Sequence, residues 1–252
     1  MFRRRVDSVL EAMHLTLGGF ALIFVSALVG ALIQGSIGYG LNLVVVPVAA
    51  VVQPAALPAA MIIMALPMTA GSALLEHDHI DRSSVTWMTL GRLPGVVLGA
   101  WVVTAVTADV LGIVVGGCVV AAAAMSMFSP SVRVNRSTSV MAGLLGGVMG
   151  TASSIGGPPV AILLQNEPGP VLRSTLGAAF LIGVSMSLGA LILAGQVEGW
   201  HWALGVALVP AIAAGLYASR FLHAWLDAGW IRPCVLGFAG LSGLGVLIRG
   251  IL

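Results

Sequence analysis

The sequence predicts an all-α, polytopic transmembrane helical bundle of about eight crossings. It reads as two repeated four-helix units, each headed by a broken helix. Three observations predict this: a scarcity of charge, apolar runs of membrane-spanning length, and two glycine-rich interruptions placed alike in the two halves. Of the 252 residues, 59% are hydrophobic and 8% are charged, against roughly 25% charged in a soluble domain. The mean hydropathy is +1.07. Such a chain has too few polar groups to cover a water-facing surface, which excludes a soluble enzyme and a disordered regulator. The net charge of +2 is too small for a nucleic-acid binder. All eleven basic residues are Arg. That removes any Gly-Lys-Ser/Thr phosphate loop and any Schiff-base lysine, so ATP hydrolysis by this chain is not expected. Cys118 and Cys234 both lie in apolar runs and read as small buried hydrophobes.

Residues 1–14 form an arm with Arg3, Arg4 and Arg5, read as a cytoplasmic anchor because no convincing cleavage site follows. Residues 15–128 make the first unit. Between Glu11 and Glu76 no charged residue occurs, a length of about three crossings at roughly 20 residues each. Residues 15–33 form the first helix. Gly35, Gly38 and Gly40 then interrupt it, at about 1 kcal/mol each. Residues 41–52 are apolar but only about 18 Å long as a helix, too short to cross. Pro54 and Pro58 punctuate the chain before a helix over 59–75. A third helix needs residues 86–105 and includes Arg92, and 110–132 supplies the next. A polar linker, residues 129–138, leads into the second unit, residues 139–252. There, residues 139–149 are apolar, Ser153 to Pro159 breaks the run, and 160–165 is a short remnant. Pro168 and Pro170 precede helices over 172–194, 199–219 and 233–248.

Shifting the chain by 116 residues sets Pro94 on Pro210, Gly99 on Gly215, Trp101 on Tyr217 and Cys118 on Cys234. A shift of 118 sets Ser36, Ile37 and Gly38 on Ser154, Ile155 and Gly156. Units with an even number of crossings lie parallel and odd ones lie inverted. Positive-inside counting puts the N-terminus, Arg133, Arg136 and Arg249 in the cytoplasm and favours four crossings per unit. The loop near Arg220 and Arg232 fits this poorly. Re-entrant hairpins at the breaks would instead invert the units and move Arg133 and Arg136 outside.

Irregular backbone at membrane depth survives only where it is buried in protein or lines a cavity. Two such breaks mark a substrate site at the repeat interface. The half-helices after them begin near Leu41 and Pro158, and their converging N-termini suit an anion. Gln34, Ser36 and Asn42 stand beside the first break; Thr151, Ser153, Ser154 and Gln165 stand beside the second. Their competing role is to cap helices or join them. Arg173, at the start of a helix, opposes the dipole and calls for a compensating anion or a lipid phosphate. Arg92 must face a partner or a cavity, with Glu76 and Asp78 as candidate partners. The segment from Glu76 to Arg82 has a metal-like composition but no metal-site spacing, and reads as a solvated loop. No Ser/His/Asp arrangement stands out.

The run Gln34, Gly35, Ser36, Ile37, Gly38, Tyr39, Gly40, followed by Pro47, resembles the first-repeat signature of the sulfite exporter TauE/SafE family of membrane permeases. Ser154, Ile155, Gly156, Gly157, Pro158, Pro159 and Val160, then Arg173, Ser174 and Thr175, resemble the second-repeat signature of its Gly-Gly-Pro-Pro branch. Leu41 and Asn42 stand where many members carry further glycine or aromatic residues. The resemblance implies a multi-pass permease of the bacterial inner membrane for small, often sulfur-containing anions such as sulfite or organosulfonates. The expected function is a secondary transporter working by alternating access of the two halves, without a cofactor or metal, and not an enzyme. The expected substrate contacts are Gln34, Ser36, Gly38, Gly40, Asn42, Ser153, Ser154, Gly156, Gly157, Pro158, Arg173 and Thr175. The expected partners are the lipid bilayer, the anion and a coupling proton or sodium ion, with no nucleic acid; nothing in the sequence sets an oligomeric state. Two other classes compete: a non-transporting anchor subunit, and an intramembrane hydrolase using Ser36 or Ser154.

Overall fold

Every regular element among the described residues of the computed structural model is helical. The structure describes residues 13, 15–75, 77–128, 132–226, 237, 240–245, 247 and 248. Arg3, Arg4, Arg5, Glu11, Glu76, residues 129–131, Arg232, Cys234 and Arg249 lie outside them. The first half contains α1 (Leu17–Ile37), α2 (Leu41–Val52), α3 (Ala59–Leu75), α4 (Arg82–Ala105) and α5 (Ala108–Phe128). The second contains α6 (Arg136–Ser153), α7 (Gly157–Leu164), α8 (Gly169–Leu193), α9 (Gly199–Ala207) and α10 (Val209–Leu226).

Helix starts follow side-chain capping. Thr16 Oγ1 accepts the Gly19 N–H at 3.1 Å to open α1. Asp81 accepts the N–H groups of Ser83 and Ser84 to open α4. Asn135 and Thr138 form a reciprocal capping box at α6. Such caps satisfy donors that have no partner within the helix. The expected helix over 86–105 therefore begins earlier, at Arg82, where Asp81 supplies the cap.

Five helices have the length and apolarity to cross a bilayer: Leu17–Ile37, Arg82–Ala105, Ala108–Phe128, Gly169–Leu193 and Gly199–Phe221. The last is interrupted between α9 and α10, where Pro210 supplies no N–H. α3 and α6 are shorter, at 17 and 18 residues. Large apolar side chains such as Leu17, Val97, Trp101, Leu193 and Phe221 are largely exposed, whereas Thr151, Ser153, Ser174, Thr175 and Ser187 are buried. An outer belt of this kind needs lipid around it.

Close contacts set the helix directions. A β-carbon on Gly30 would lie 2.7 Å from the Leu41 carbonyl oxygen, and one on Gly19 would lie 2.7 Å from Val52. So α2 runs back along α1, and the pair forms a hairpin with no net crossing. α3 then runs the other way, antiparallel to α8, with Ile62 and Ile63 clustered with Leu188 and Leu191 at one end and Ala73 against Gly177 at the other. Methyl groups on Gly91 and Gly143 would overlap the carbonyls of Val140 and Met88, and Gly99 meets Val148 and Thr151. α4 and α6 thus run parallel at very close range. Gly215 against Leu28 and Ala31, with Gly35 against Ser219, makes α1 and α10 parallel in the same way.

These directions correct the expected side assignment. The start of α1 and the segment bearing Arg133 and Arg136 stand at opposite ends of the bundle, because the α1–α2 hairpin returns to its own side. They cannot both face the cytoplasm.

Candidate binding site at the helix breaks

The first break is narrower than the sequence suggests, because α1 stays helical through Gly35, Ser36 and Ile37. It ends at Gly38, whose φ of 94° is left-handed and whose N–H donates to the Gln34 carbonyl at 2.7 Å. Gly40, with φ 129°, opens α2. Only glycine takes such values freely. Gln34 Oε1 accepts the Leu41 N–H at 3.1 Å and so caps the half-helix.

The second break turns on Ser154, a non-glycine residue at φ 64°. Such a conformation costs about 1–2 kcal/mol. Two bonds from the first half hold it: its hydroxyl donates to the Pro58 carbonyl at 2.9 Å, and its carbonyl accepts Asn42 Nδ2 at 2.7 Å. α7 begins at Gly157, followed by Pro158 and Pro159. Proline suits a first turn, but these two remove donors that the terminus would otherwise present. α2 and α7 leave the breaks in opposite directions, so their N-termini face each other across the middle of the bundle.

Between the breaks lies a cavity of about 60 Å³, room for a few waters or one small ion. Gln34, Asn42, Thr69, Arg92, Ser154 and Ser187 bring polar groups to its wall. Gly40, Gly156, Gly157 and Pro158 bring backbone. Ile62, Phe180 and Val184 supply an apolar side. Thr69 Oγ1 donates to the Ala65 carbonyl, and Ser187 Oγ pairs with Thr151 Oγ1 at 2.8 Å, so these hydroxyls are already engaged.

Arg92 is different. It sits ten residues into α4, about 15 Å from the helix start, and is 5% exposed. Glycines from three elements make room for its guanidinium. β-carbons on Gly150 and Gly156 would lie 2.9 and 3.1 Å from Nη2, and one on Gly183 would overlap the group. Its Nε has no hydrogen-bond partner. The proposed pairing with Asp78 does not occur, because Asp78 is exposed and stands 3.4 Å from His77 in the one salt bridge among the described residues. Glu76 lies outside the described residues. A buried charge of this kind demands a counter-charge.

Residues 22–246 match the family described as Sulfite exporter TauE/SafE. The chain belongs to that family. It is a multi-pass helical membrane protein of a transporter family. No curated protein and no solved structure matches it.

In this TauE/SafE chain, Gln34, Gly40, Asn42, Ser154, Gly156, Gly157 and Pro158 meet at the cavity. Ser36, Gly38, Ser153, Arg173 and Thr175 lie outside its lining. Ser36 Oγ donates to the Leu32 carbonyl and Ser153 Oγ to the Met149 carbonyl, within their own helices. Gly38 ends α1, and Arg173 stands near it: a β-carbon on Gly38 would lie 3.7 Å from Arg173 Cγ. Among the described residues neither Ser36 nor Ser154 bonds a histidine, and His201 is engaged with the Ala55 carbonyl at 3.0 Å. Arg92 is the charged cavity residue that the candidate contacts omit, with Tyr39, Thr69 and Ser187 as further polar ones. Its signal is a lone cation in an apolar run, with no carboxylate three or four residues away.

Thr175 Oγ1 accepts the Asp81 N–H at 3.0 Å and ties the α3–α4 loop to α8. Thr175→Val leaves that donor without a partner, an expected loss of about 1–3 kcal/mol. The thermal midpoint in detergent should fall; an unchanged midpoint would mean that the bond does not stabilise the loop.

Proposed function

We propose that the chain is a secondary transporter, not an enzyme, for small anions, sulfur oxyanions such as sulfite or organosulfonates foremost. One observation carries this reading: the buried guanidinium of Arg92, without an ion-pair partner among the described residues, lines a cavity flanked by two helix breaks. An anion between Arg92, Gln34 and Asn42 supplies the missing counter-charge. The cavity size favours a compact oxyanion over a bulky organic acid. Arg173, near the first break, would draw anions toward the site from its end of the bundle.

Alternating access is supported by the exchange of helices between halves. α4 of the first half lies along α6 of the second, while α10 lies along α1. α3 and α8 pack on each other near the centre. This pairing, and the opposite directions of α1 and α6, favour inverted over parallel units. A site at their interface opens to one side or the other as the halves rock. The cavity lining contains no carboxylate and no histidine. A coupling proton carried by a carboxylate or a histidine would therefore bind elsewhere.

For the membrane we propose the inner membrane of a bacterium. Arg82, Arg133, Arg136, Arg173 and Arg220 belong to the end where α4, α6 and α8 start and α10 finishes. The positive-inside rule turns that end toward the cytoplasm, in competition with Arg3, Arg4 and Arg5.

The test is counterflow of radiolabelled sulfite in vesicles reconstituted with the purified chain. Uptake driven by internal unlabelled sulfite, above protein-free vesicles and inhibited by methanesulfonate, is the expected result. Uptake equal to that of protein-free vesicles overturns the proposal.

A further inference from the structure

We propose that the site selects anions of one negative charge that carry their own hydrogen-bond donor, bisulfite rather than the sulfite dianion, and that Asn42 sets this preference. The inference rests on the anion-site reading above and goes beyond it to the protonation state of the ligand.

The charge in the cavity is the first argument. Arg92 is the one cationic side chain in its lining. The helix termini add little to it. The first N–H of α2 is already bonded to Gln34, and α7 carries Pro158 and Pro159 in its first turn. A univalent anion leaves the loaded site near neutrality. A dianion leaves one negative charge without a partner in a low-dielectric space.

Asn42 is the second. Its Nδ2 donates to the Ser154 carbonyl at 2.7 Å. Rotating the amide by half a turn would set its oxygen against that carbonyl, so the orientation is fixed. The other end, Oδ1, is then an acceptor held in place, and it is buried without any hydrogen-bond partner. Gln34 is arranged the opposite way: its Oε1 is engaged by Leu41, which leaves Nε2 as the end able to donate. Among the polar groups of the wall, Arg92 and Gln34 offer donors and Asn42 Oδ1 is the buried acceptor left without a partner, beside the hydroxyls of Tyr39, Thr69, Ser154 and Ser187. A fully deprotonated oxyanion has only lone pairs to turn toward Asn42 Oδ1. Bisulfite turns its proton there and its oxygens toward Arg92 and Gln34.

Equilibrium binding to the purified chain in detergent tests this without a vesicle leak. Total sulfite and methanesulfonate are titrated one pH unit below and one above the second ionisation of sulfurous acid. The bisulfite fraction falls roughly tenfold across that interval, and the affinity for total sulfite should fall by about the same factor. Methanesulfonate stays univalent and lacks the donor, so it should bind more weakly than bisulfite, with an affinity independent of pH. Sulfate should compete least well. Asn42→Leu removes the fixed acceptor and should reduce the pH dependence for sulfite to less than about threefold.

A wild-type affinity for sulfite that is flat or rises with pH overturns the proposal. So does a parallel fall for methanesulfonate, which would mean that the protein titrates rather than the ligand. Retention of the full dependence in a folded Asn42→Leu variant removes Asn42 from its assigned role. If that variant does not fold, the two wild-type titrations still decide. Binding of neither ion at either pH would instead overturn the anion site itself.

Discussion

Arg92→Gln is expected to weaken sulfite binding by roughly 30-fold or more while leaving the ligand-free protein at least as stable as the wild type. The two halves of this result have one cause. In the ligand-free state the guanidinium is buried, and its Nε has no partner. Taking such a charge out of water costs several kcal/mol even after relaxation. A glutamine in its place carries no charge to desolvate, and the glycines that admit the arginine leave it ample room. With an anion bound the balance reverses, because the guanidinium then has its counter-charge. Removing one partner of a buried charge pair costs about 2–5 kcal/mol, a weakening of roughly 30-fold to several thousand-fold.

Thermal unfolding in detergent reads both effects together. A ligand at a hundred times its dissociation constant stabilises the wild type by about 2.7 kcal/mol. The variant should show a midpoint without sulfite no lower than wild type, and at most about a third of the wild-type shift when sulfite is added. Arg92→Lys keeps the charge but not the planar fork, and should recover part of the shift. A lowered midpoint in Arg92→Gln with the sulfite shift intact would make Arg92 a structural residue.

Much of the helix pattern is legible in the chain itself. Long charge-free runs separated by Gly, Pro and the charged loops place the spanning helices, because lipid tolerates no unpaired backbone. The second half-helix begins at Gly157, one residue from its expected start, because proline fits a first helical turn. The first break is less legible. Gly35 is a weak helix former, yet it stays in α1 because α10 presses against it through Leu216 and Ser219. Packing outweighs propensity there, and only residues 38–40, with Gly38 and Gly40 at positive φ, leave the helix. Pro210 coincides with the division between α9 and α10, whereas its counterpart Pro94 lies inside an unbroken α4.

Direction and contact are the properties a linear reading cannot supply. The return of α2 along α1 depends on Leu41 meeting Gly30, a contact with no signature beyond a glycine in an apolar run. Missing it sets the two arginine-bearing ends on the same side. The same holds for Arg92. Its place in an apolar run announces a buried charge, but the glycines around it come from α6, the second break and α8, all distant in the chain. Asn42 and Ser154 each stand out beside a break; that they bond each other is visible only in three dimensions.

Gly91→Val and Gly143→Val are each expected to prevent assembly of the bundle, and this is the largest stability effect predicted for the fold. A methyl on Gly91 would overlap the Val140 carbonyl, and one on Gly143 would overlap the Met88 carbonyl. Both obstacles are backbone, so no rotamer change relieves them. Overpacking a dense interface costs about 1–3 kcal/mol and more when the backbone must move. Valine adds two further carbons at a helix crossing that tolerates none. Because the two glycines face each other across one crossing, separating the helices for the first substitution also relieves the second. The double variant should therefore lose less than the sum of the singles. Gly112→Ala is the control: nothing lies within 4 Å of a β-carbon there, and alanine favours the helix by up to about 1 kcal/mol. Its midpoint in detergent should stay level or rise, while the interface variants lose folded yield. The milder Gly91→Ala connects fold to site, because α4 carries Arg92 and α6 carries Gly150 and leads into the second break. A small separation of these helices should weaken sulfite binding even in the fraction that folds. Full affinity in folded Gly91→Ala would mean that the cavity does not depend on how closely these two helices approach.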